Sequence, residues 1–358
     1  MRKKKSVTLQ DLSRHSGLSV HTVSKALRGL PGMSEETRNL VHKAAREIGY
    51  RTKDQERVHA IERIPLHPQK PARFKMVVSD KTETSDMILF ILSGLQEKLS
   101  AYGHTIETAT IPYRLEDDST LRHWSNIQQL EYCDGVFITP MIGKAQEALL
   151  LGYPIPRVLI NFPGPAAKVD SVAWDVGTAI HQSVQYLISK GHTRIMYIGN
   201  IHIHRGFILR WQSFLSAMKE GGLDVDPDDH MTGGLGGQQG WLDQLVDKLR
   251  QARPTAIVNA VHNDLVWIYN ACSRLGKRIP EDISIVSLAH AENAFVPELT
   301  RPILMIRESA VRAAERMLWR MANPHLPYEH TLLQGGFHEG ATVRPPAERE
   351  AGTVRTPR

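Results

Sequence analysis

Near the start of the chain, apolar side chains recur at helical spacing within two short stretches. Leu9 and Leu12 are spaced to share one face of a first helix. Val23, Ala26 and Leu27 recur in the same way along a second. The pattern predicts that the chain begins with short amphipathic helices.

Polar residues and glycines mark where these helices begin and end. Thr8 and Ser19 are suited to cap the first and second helices, and Gly17 supplies the permissive backbone that the short turn between them needs. Ser34 caps a third helix, which ends at Gly49. This layout is that of a helix-turn-helix, whose second helix reads the DNA major groove.

The second helix is predicted to be the recognition helix. Its outer face carries small or polar side chains that are able to reach base edges or phosphates. The residues expected to contact DNA in and around it are Thr8, Ser19, Val20, His21, Thr22, Ser24, Lys25 and Arg28.

The pattern changes after the third helix, first to a linker and then to alternating strands and helices. Prolines at positions 65, 68 and 71 interrupt any helix there. Predicted strands lie at 74–78, 104–110, 135–139, 156–160, 194–198, 256–259 and 283–287, and predicted helices at 87–102, 121–130, 176–190, 209–220, 242–250 and 264–275. Such alternation indicates parallel sheets with helices on both faces, and so many units predict two sheets.

Charge is distributed unevenly along the 358 residues. Residues 1–60 contain 13 Lys and Arg against 6 Asp and Glu, a net charge of +7, whereas the remaining 298 residues sum to −1. The basic charge is therefore concentrated where the predicted helix-turn-helix would meet phosphates.

Other classes of protein lack support in the sequence. No run of 18 apolar residues predicts a membrane span, and no apolar segment after the basic start predicts a secretory signal, so we expect a cytoplasmic protein. Cys133 and Cys272 are too few for a disulfide framework and fit a reducing compartment. No nucleophile-elbow, Walker or zinc-protease motif occurs, and His202 and His204 lack further ligands at metal-binding spacing. We expect no enzymatic activity, metal or cofactor.

The chain resembles the LacI/GalR (lactose/galactose repressor) family. The head carries the resemblance in three segments, VTLQDLSRHSGLSVHTVSKAL, PGMSEETR and REIGY. Weaker resemblance follows in LISKGHTRIMYIGN and RPTAIVNAVHNDLVWIYNACSRLGKRIPEDISIVSL. It implies an N-terminal all-α head and an α/β core made of two doubly wound parallel-sheet subdomains of periplasmic-binding-protein type. It also implies a two-fold dimer and an effector cleft between the subdomains.

These features divide the chain into four parts. They are a helix-turn-helix head (1–50), a hinge and Pro-rich linker (51–73), an effector-binding and dimerisation core (74–345) and a disordered tail (346–358). Within the core, residues 74–168 with 307–328 are assigned to one subdomain, and 169–306 with 329–345 to the other.

The hinge departs from the family pattern. In the family, a leucine of a short hinge helix wedges into the minor groove at the centre of the operator, and such wedges bend DNA. The resemblance places Val58 and His59 here, with His59 at the leucine position. Either Val58 or Ile61 takes the wedge role in a shifted register, or the DNA kink is shallower.

Candidate effector-binding residues lie where predicted strands end. Ligands of such cores bind at the carboxyl ends of the strands. Strand ends nominate Asp80, Asn161, Asp175, Asn263, Asp264 and His290. The resemblance adds Arg210 as the effector-contacting arginine, and Arg307 is a further cationic candidate.

The effector candidates favour an acidic ligand. Where the family has carboxylates, this chain has Asn161, Ala289 and His290, so acceptors for sugar hydroxyls are lost, and Phe162 stands at the family's arginine. Arginine suits bidentate recognition of carboxylates or phosphates. We expect an acidic metabolite, such as a sugar acid or another organic acid.

The sequence thus predicts a sequence-specific transcriptional regulator, of repressor type, that acts as a homodimer on a palindromic operator in double-stranded DNA. A metabolite-binding protein whose head has lost DNA function is the alternative, and an enzyme on the same core is a more distant one. Intact Ser19, Thr22, Ser24 and Lys25 argue against an inactive head. The last residues contain no leucine heptad, so a dimer is favoured over a tetramer.

Overall fold

The structure is a computed structural model, and it describes residues 7–50, 70–82, 85–113, 117–233, 238–261, 265–290 and 295–346. The chain divides into two units, Met1–Leu66 and His67–Arg358, which we call the head and the core. Five residues that were assigned a role from the sequence lie outside the described ranges, as does the predicted tail after residue 346: Val58, His59, Ile61, Asn263 and Asp264.

The head contains three helices, as predicted. They are α1 (Leu9–Ser16), α2 (Val20–Leu27) and α3 (Glu35–Ile48). Each begins at the expected cap, because the hydroxyls of Thr8, Ser19 and Ser34 accept a hydrogen bond from a backbone N–H of the first turn. Gly17 follows α1 with a φ of 69°, a left-handed conformation that turns the chain towards α2.

Small and branched apolar side chains hold the three helices together. The buried residues of this cluster are Leu12, Val23, Ala26, Val41, Ala44 and Ala45. Because Val23 and Ala26 face inward, the opposite face of α2 is left for solvent or a ligand.

The core alternates strands and helices. Its strands in the described residues are β1 (Arg73–Ser79), β2 (Thr105–Ile111), β3 (Gly135–Ile138), β4 (Arg157–Leu159), β5 (Asp170–Trp174), β6 (Ile195–Ile198), β7 (Ala256–Asn259), β8 (Ser284–Ser287), β9 (Arg301–Pro302), β10 (His330–Leu333) and β11 (Phe337–His338). Its helices are α4 (Asp86–Ser100), α5 (Asp118–Ile127), α6 (Lys144–Leu151), α7 (Val176–Ser189), α8 (Arg205–Glu220), α9 (Gln238–Ala252), α10 (Leu265–Arg274) and α11 (Ile306–Ala322).

The strands form two main parallel sheets. The first has six strands in the order β10-β5-β4-β3-β1-β2, and the second has β6-β7-β8. A short antiparallel pair joins β9 to β11. The two-sheet α/β fold predicted from the alternation is therefore confirmed. No helix of the described ranges has the length and apolar character needed to cross a bilayer.

Strand pairing corrects the predicted subdomain membership. Residues 169–174 and 329–333 were assigned to the second subdomain, but β5 pairs with β4 and β10 pairs with β5, so both strands belong to the first sheet. The physical reason is the packing of α11, which contacts both strands. The chain therefore leaves the first sheet only after Trp174.

A buried ionic cluster fastens α11 to β5. The carboxylate of Asp170 is fully buried and accepts hydrogen bonds from Arg316 Nε at 2.8 Å and from Arg320 Nε at 2.5 Å. The backbone N–H of Glu329 donates to the same carboxylate at 3.0 Å. One acidic group thus joins a strand, a helix and the segment that enters β10.

Several element bounds differ from the predicted ones. The helix predicted at 121–130 ends at Ile127 and is followed by a 3-10 turn, Leu130–Tyr132. The helix predicted at 209–220 begins earlier, at Arg205, because His204 caps it. Six helices and strands of the described ranges were not predicted: α6, α11, β5, β9, β10 and β11.

Candidate DNA-binding and effector sites

The amino end of α2 presents the side chains best placed to meet DNA. Val20 is 41% exposed and His21 is exposed, whereas Thr22, Ser24 and Lys25 are half-buried. In the helix-turn-helix mode, side chains at the amino end of the recognition helix contact base edges. Val20 suits a thymine methyl group, and His21 can exchange a hydrogen bond with a base.

Other predicted DNA-contacting residues form hydrogen bonds within the head. The Thr8 hydroxyl lies 2.6 Å from a carboxylate oxygen of Asp11 in a capping box. The hydroxyls of Ser19 and Thr22 lie 2.9 Å apart, and Ser19 also caps α2. These side chains fix the amino ends of α1 and α2. Arg28 is exposed just after α2, and its Nε donates to the Ser24 carbonyl at 3.3 Å.

The core encloses a cavity of about 430 Å³ at the carboxyl ends of its strands. Residues that follow strands of both sheets line it, together with the first turns of α4 and α8. Its lining residues are Thr82, Ser85, Asp86, Met87, Pro140, Met141, Asn161, Phe162, Ala173, Trp174, Val176, Ile203, His204, Gly206, Phe207, Arg210, Val261 and His290. The cavity lies where ligands of open α/β sheets bind.

The structure brings together three of the effector candidates that it describes. Asn161, Arg210 and His290 all line the cavity, although they come from different elements. His204, which the sequence offered as half of a histidine pair without further metal ligands, lines it as well.

Three other candidates do not line the cavity. Asp80 accepts the backbone N–H of Tyr113 at 3.1 Å, and Asp175 caps α7 by accepting from Thr178 N at 3.0 Å. Both carboxylates are engaged by local backbone at strand ends. Arg307 pairs with Glu97 of α4 at the surface.

Arg210 is the most unusual group in the cavity. It is 7% exposed, and its Nη1 donates to the Ala260 carbonyl at 2.6 Å. Within the described ranges it has no carboxylate partner, and its buried Nε finds no acceptor. Burial lowers the pKa of Arg210 to about 10, so the guanidinium stays charged at neutral pH. Its charge is offset in part by the ring of Phe207, whose centroid lies 4.4 Å from Cζ.

His204 is held as a neutral ring beside this charge. Its Nδ1 accepts the Gly206 backbone N–H at 3.1 Å, which places the ring proton on Nε2. Burial, together with the guanidinium groups of Arg210 and Arg205, lowers the pKa of His204 to about 3. His204 therefore adds no positive charge to the cavity at neutral pH.

Arg205 is committed to an ion pair next to the cavity. Its Nη2 lies 2.5 Å from Glu147 Oε1 of α6, and its Nε donates to the Phe162 carbonyl at 2.7 Å. This pair joins α6 and α8, which flank different sheets, and leaves Arg205 without a free charge for a ligand.

Sequence reasoning missed the aromatic lining. Phe162, Trp174 and Phe207 line the cavity but were not predicted, because the strand-end rule selects polar residues. The replacement at Phe162, noted only as the loss of a charged family residue, was the available signal.

Comparisons with known proteins agree with this architecture. A family model described as bacterial regulatory proteins, lacI family, matches residues 8–53, and one described as a periplasmic binding protein-like domain matches residues 184–343. The HTH-type transcriptional repressor CytR of Escherichia coli (strain K12) is 26% identical over 287 residues, which cover 78% of this chain and 79% of CytR.

Solved structures share the fold of both units. The transcriptional regulator CelR in its cellobiose complex gives a TM-score of 0.66 at 20% identity, covering 94% of this chain and 99% of that one. The lac repressor dimer bound to operator and the anti-inducer ONPF gives a TM-score of 0.63 at 16% identity, covering 95% of this chain and 100% of that one.

A helix-turn-helix head and an α/β core with a cavity at its strand ends define a DNA-binding transcriptional regulator. With both family models matched in order along it, this chain belongs to the LacI family of bacterial regulatory proteins.

Proposed function

We propose that this regulator represses transcription as a homodimer on a palindromic operator, and that an acidic metabolite bound in the cavity controls its operator affinity. The observation that carries the metabolite proposal is Arg210, a buried guanidinium that lines the cavity without a carboxylate partner in the described ranges. An anionic ligand would supply that partner.

Two considerations support a dimer and repression. A single head reads one half-site, and tight specific binding needs two heads on a symmetric site. The relative CytR is a repressor, and the lac repressor structure holds a dimer on its operator. Genome-wide mapping of binding sites, followed by footprinting of the purified full chain, tests this proposal. A symmetric protected site is expected upstream of repressed genes, and protection of one isolated half-site contradicts it.

Replacing His21 by alanine is expected to change which bases the operator requires. His21 is exposed at the amino end of α2, and one good base contact contributes about 1–3 kcal/mol of discrimination. Selection of bound sequences from a random DNA library measures the change. His42→Ala, at an exposed histidine of α3, is the matched control and should keep the parental consensus. If both variants select the parental consensus, His21 does not read a base.

Replacing Arg210 by methionine is expected to abolish the response to the metabolite while the variant still binds its operator. Effectors in such coupled systems change affinity by about 5- to 150-fold, and that change should disappear because the anion loses the buried cation that the described cavity lining provides. A reporter gene behind the mapped operator, tested across growth substrates, measures it. The control is Arg307→Met, which removes a surface arginine outside the cavity. A normal response from the Arg210 variant contradicts the assignment.

A further inference from the structure

We propose that the ligand of this cavity is a monocarboxylate carried on an apolar ring, and not a polyhydroxylated sugar acid. This inference rests on the proposed function, since it takes the cavity as the effector site. Its basis is the one-sided polarity of the cavity: the buried polar groups that line it donate hydrogen bonds and offer few acceptors.

Two lining side chains have used their acceptor on the protein itself. Asn161 Oδ1 accepts the Phe162 backbone N–H at 2.8 Å, so the amide group keeps its Nδ2 donors for a ligand. His204 Nδ1 is occupied by Gly206, so the ring offers Nε2–H. Both residues therefore contribute donors.

Two further lining groups carry donors alone. Trp174 is 6% exposed, and its Nε1 has no hydrogen-bond partner in the part of the chain that the structure describes. The same holds for Nε of Arg210. Buried donors without acceptors cost free energy, which an acceptor-rich ligand recovers once the side chains that cover these two nitrogens shift to admit it.

A polyol does not match this set. Each sugar hydroxyl donates as well as accepts, and its proton needs an acceptor on the protein. Among the described lining residues the carboxylate is that of Asp86 alone, and this residue is exposed at the start of α4. Thr82, Ser85 and His290 add single side-chain acceptors to the lining, so a polyol with several buried hydroxyls would leave some of its protons unpaired.

The remaining wall suits an apolar body of ring size. Phe162, Trp174 and Phe207 supply aromatic surface, and Met87 and Met141 supply adaptable apolar surface. The volume of about 430 Å³ lies within the ~300–1,000 Å³ range of sites for small organic ligands. An acid of two or three carbons would leave most of this wall uncovered.

The charge count favours one negative charge. Arg205 is tied to Glu147 and to the Phe162 carbonyl, and His204 is neutral, so Arg210 is the buried cation that remains among the described lining residues. A carboxylate matches one guanidinium, whereas a phosphate dianion calls for more positive charge.

Calorimetry on the full chain with three probes tests the ligand class. Phenylacetate has the ring and the carboxylate, 2-phenylethanol has the ring without the charge, and gluconate has the carboxylate on a polyol. We expect phenylacetate to bind about 10- to 100-fold more tightly than either of the others. The alcohol lacks the charge-assisted hydrogen bond to Arg210, and gluconate lacks the apolar ring. Equal or tighter binding of gluconate or 2-phenylethanol overturns the inference, and so does the absence of phenylacetate binding at millimolar concentration.

Two variants locate the binding. Arg210→Met should weaken the binding of phenylacetate by about 10- to 100-fold. Trp174→Phe, which keeps an aromatic ring but removes the N–H, should weaken it more than the control Trp267→Phe, whose tryptophan lies outside the cavity. If Trp174→Phe binds phenylacetate like the control, the donor argument fails.

Operator binding measured in the same samples separates the two proposals. Tight phenylacetate binding without any change in operator affinity contradicts effector control and leaves the ligand class standing. A metabolite response caused by gluconate, with phenylacetate inert, contradicts the ligand class and leaves effector control standing.

Discussion

Replacing Asp170 by alanine is expected to destabilise the core by about 3–5 kcal/mol, the cost typical of breaking a buried ion pair by removing one partner. Its carboxylate is fully buried and is the group to which Arg316 Nε and Arg320 Nε donate. Alanine would leave two buried guanidinium groups without their shared acceptor. Urea unfolding followed by circular dichroism measures the loss.

A neighbouring carboxylate provides the control for this experiment. Glu329 pairs with Arg316 at 2.7 Å, but its side chain is 53% exposed. Glu329→Ala should therefore cost less than about 1 kcal/mol, as exposed ion pairs do. Equal unfolding midpoints for Asp170→Ala and Glu329→Ala would show that the buried cluster does not hold α11 on β5.

Replacing Leu12 by alanine is expected to abolish specific operator binding by unfolding the head. Leu12 is fully buried in the cluster that joins α1 to α2 and α3. Removing a buried leucine side chain costs about 2–5 kcal/mol, a large fraction of what so small an apolar core supplies. The affinity for the mapped operator, measured by fluorescence anisotropy, should fall by about tenfold or more.

The same substitution at an exposed leucine isolates the effect of burial. Leu40 lies on α3 and is 48% exposed, so Leu40→Ala should keep the operator affinity of the parent chain. The core should unfold at the same denaturant concentration in both variants. Undiminished operator binding by Leu12→Ala would mean that the head tolerates a cavity at its centre.

The head could be predicted closely because its determinants are local. Thr8, Ser19 and Ser34 each lie within three residues of the N–H group that they cap. The signal is therefore contained in a few consecutive residues.

The core was predicted less completely because distant contacts decide it. β5 begins with Asp170, a residue type common in loops, and its burial depends on Arg316, Arg320 and the backbone N–H of Glu329, all about 150 residues away. In α6, the apolar residues 148–151 are consecutive, so no helical period stands out.

The effector candidates also differ in how far the sequence alone could predict their role. The strand-end rule identified Asn161 and His290, which line one cavity, and the resemblance identified Arg210, which lines it too. The rule failed for Asp80 and Asp175, whose carboxylates accept hydrogen bonds from local backbone, and the cationic candidate Arg307 pairs with Glu97, which is distant in sequence. A strand-end residue has two possible roles, and only the folded chain distinguishes them.

Because β10 comes late in the sequence, the first sheet cannot be completed until residues 330–333 have been synthesised. One edge of β5 pairs with β4, but its other neighbour, β10, begins only at residue 330, 156 residues after β5 ends. At 5–20 residues per second this interval lasts roughly 8–31 s. During it, β5 has an open backbone edge that can pair with another nascent chain. The head, whose three helices are complete at residue 48, has no such wait.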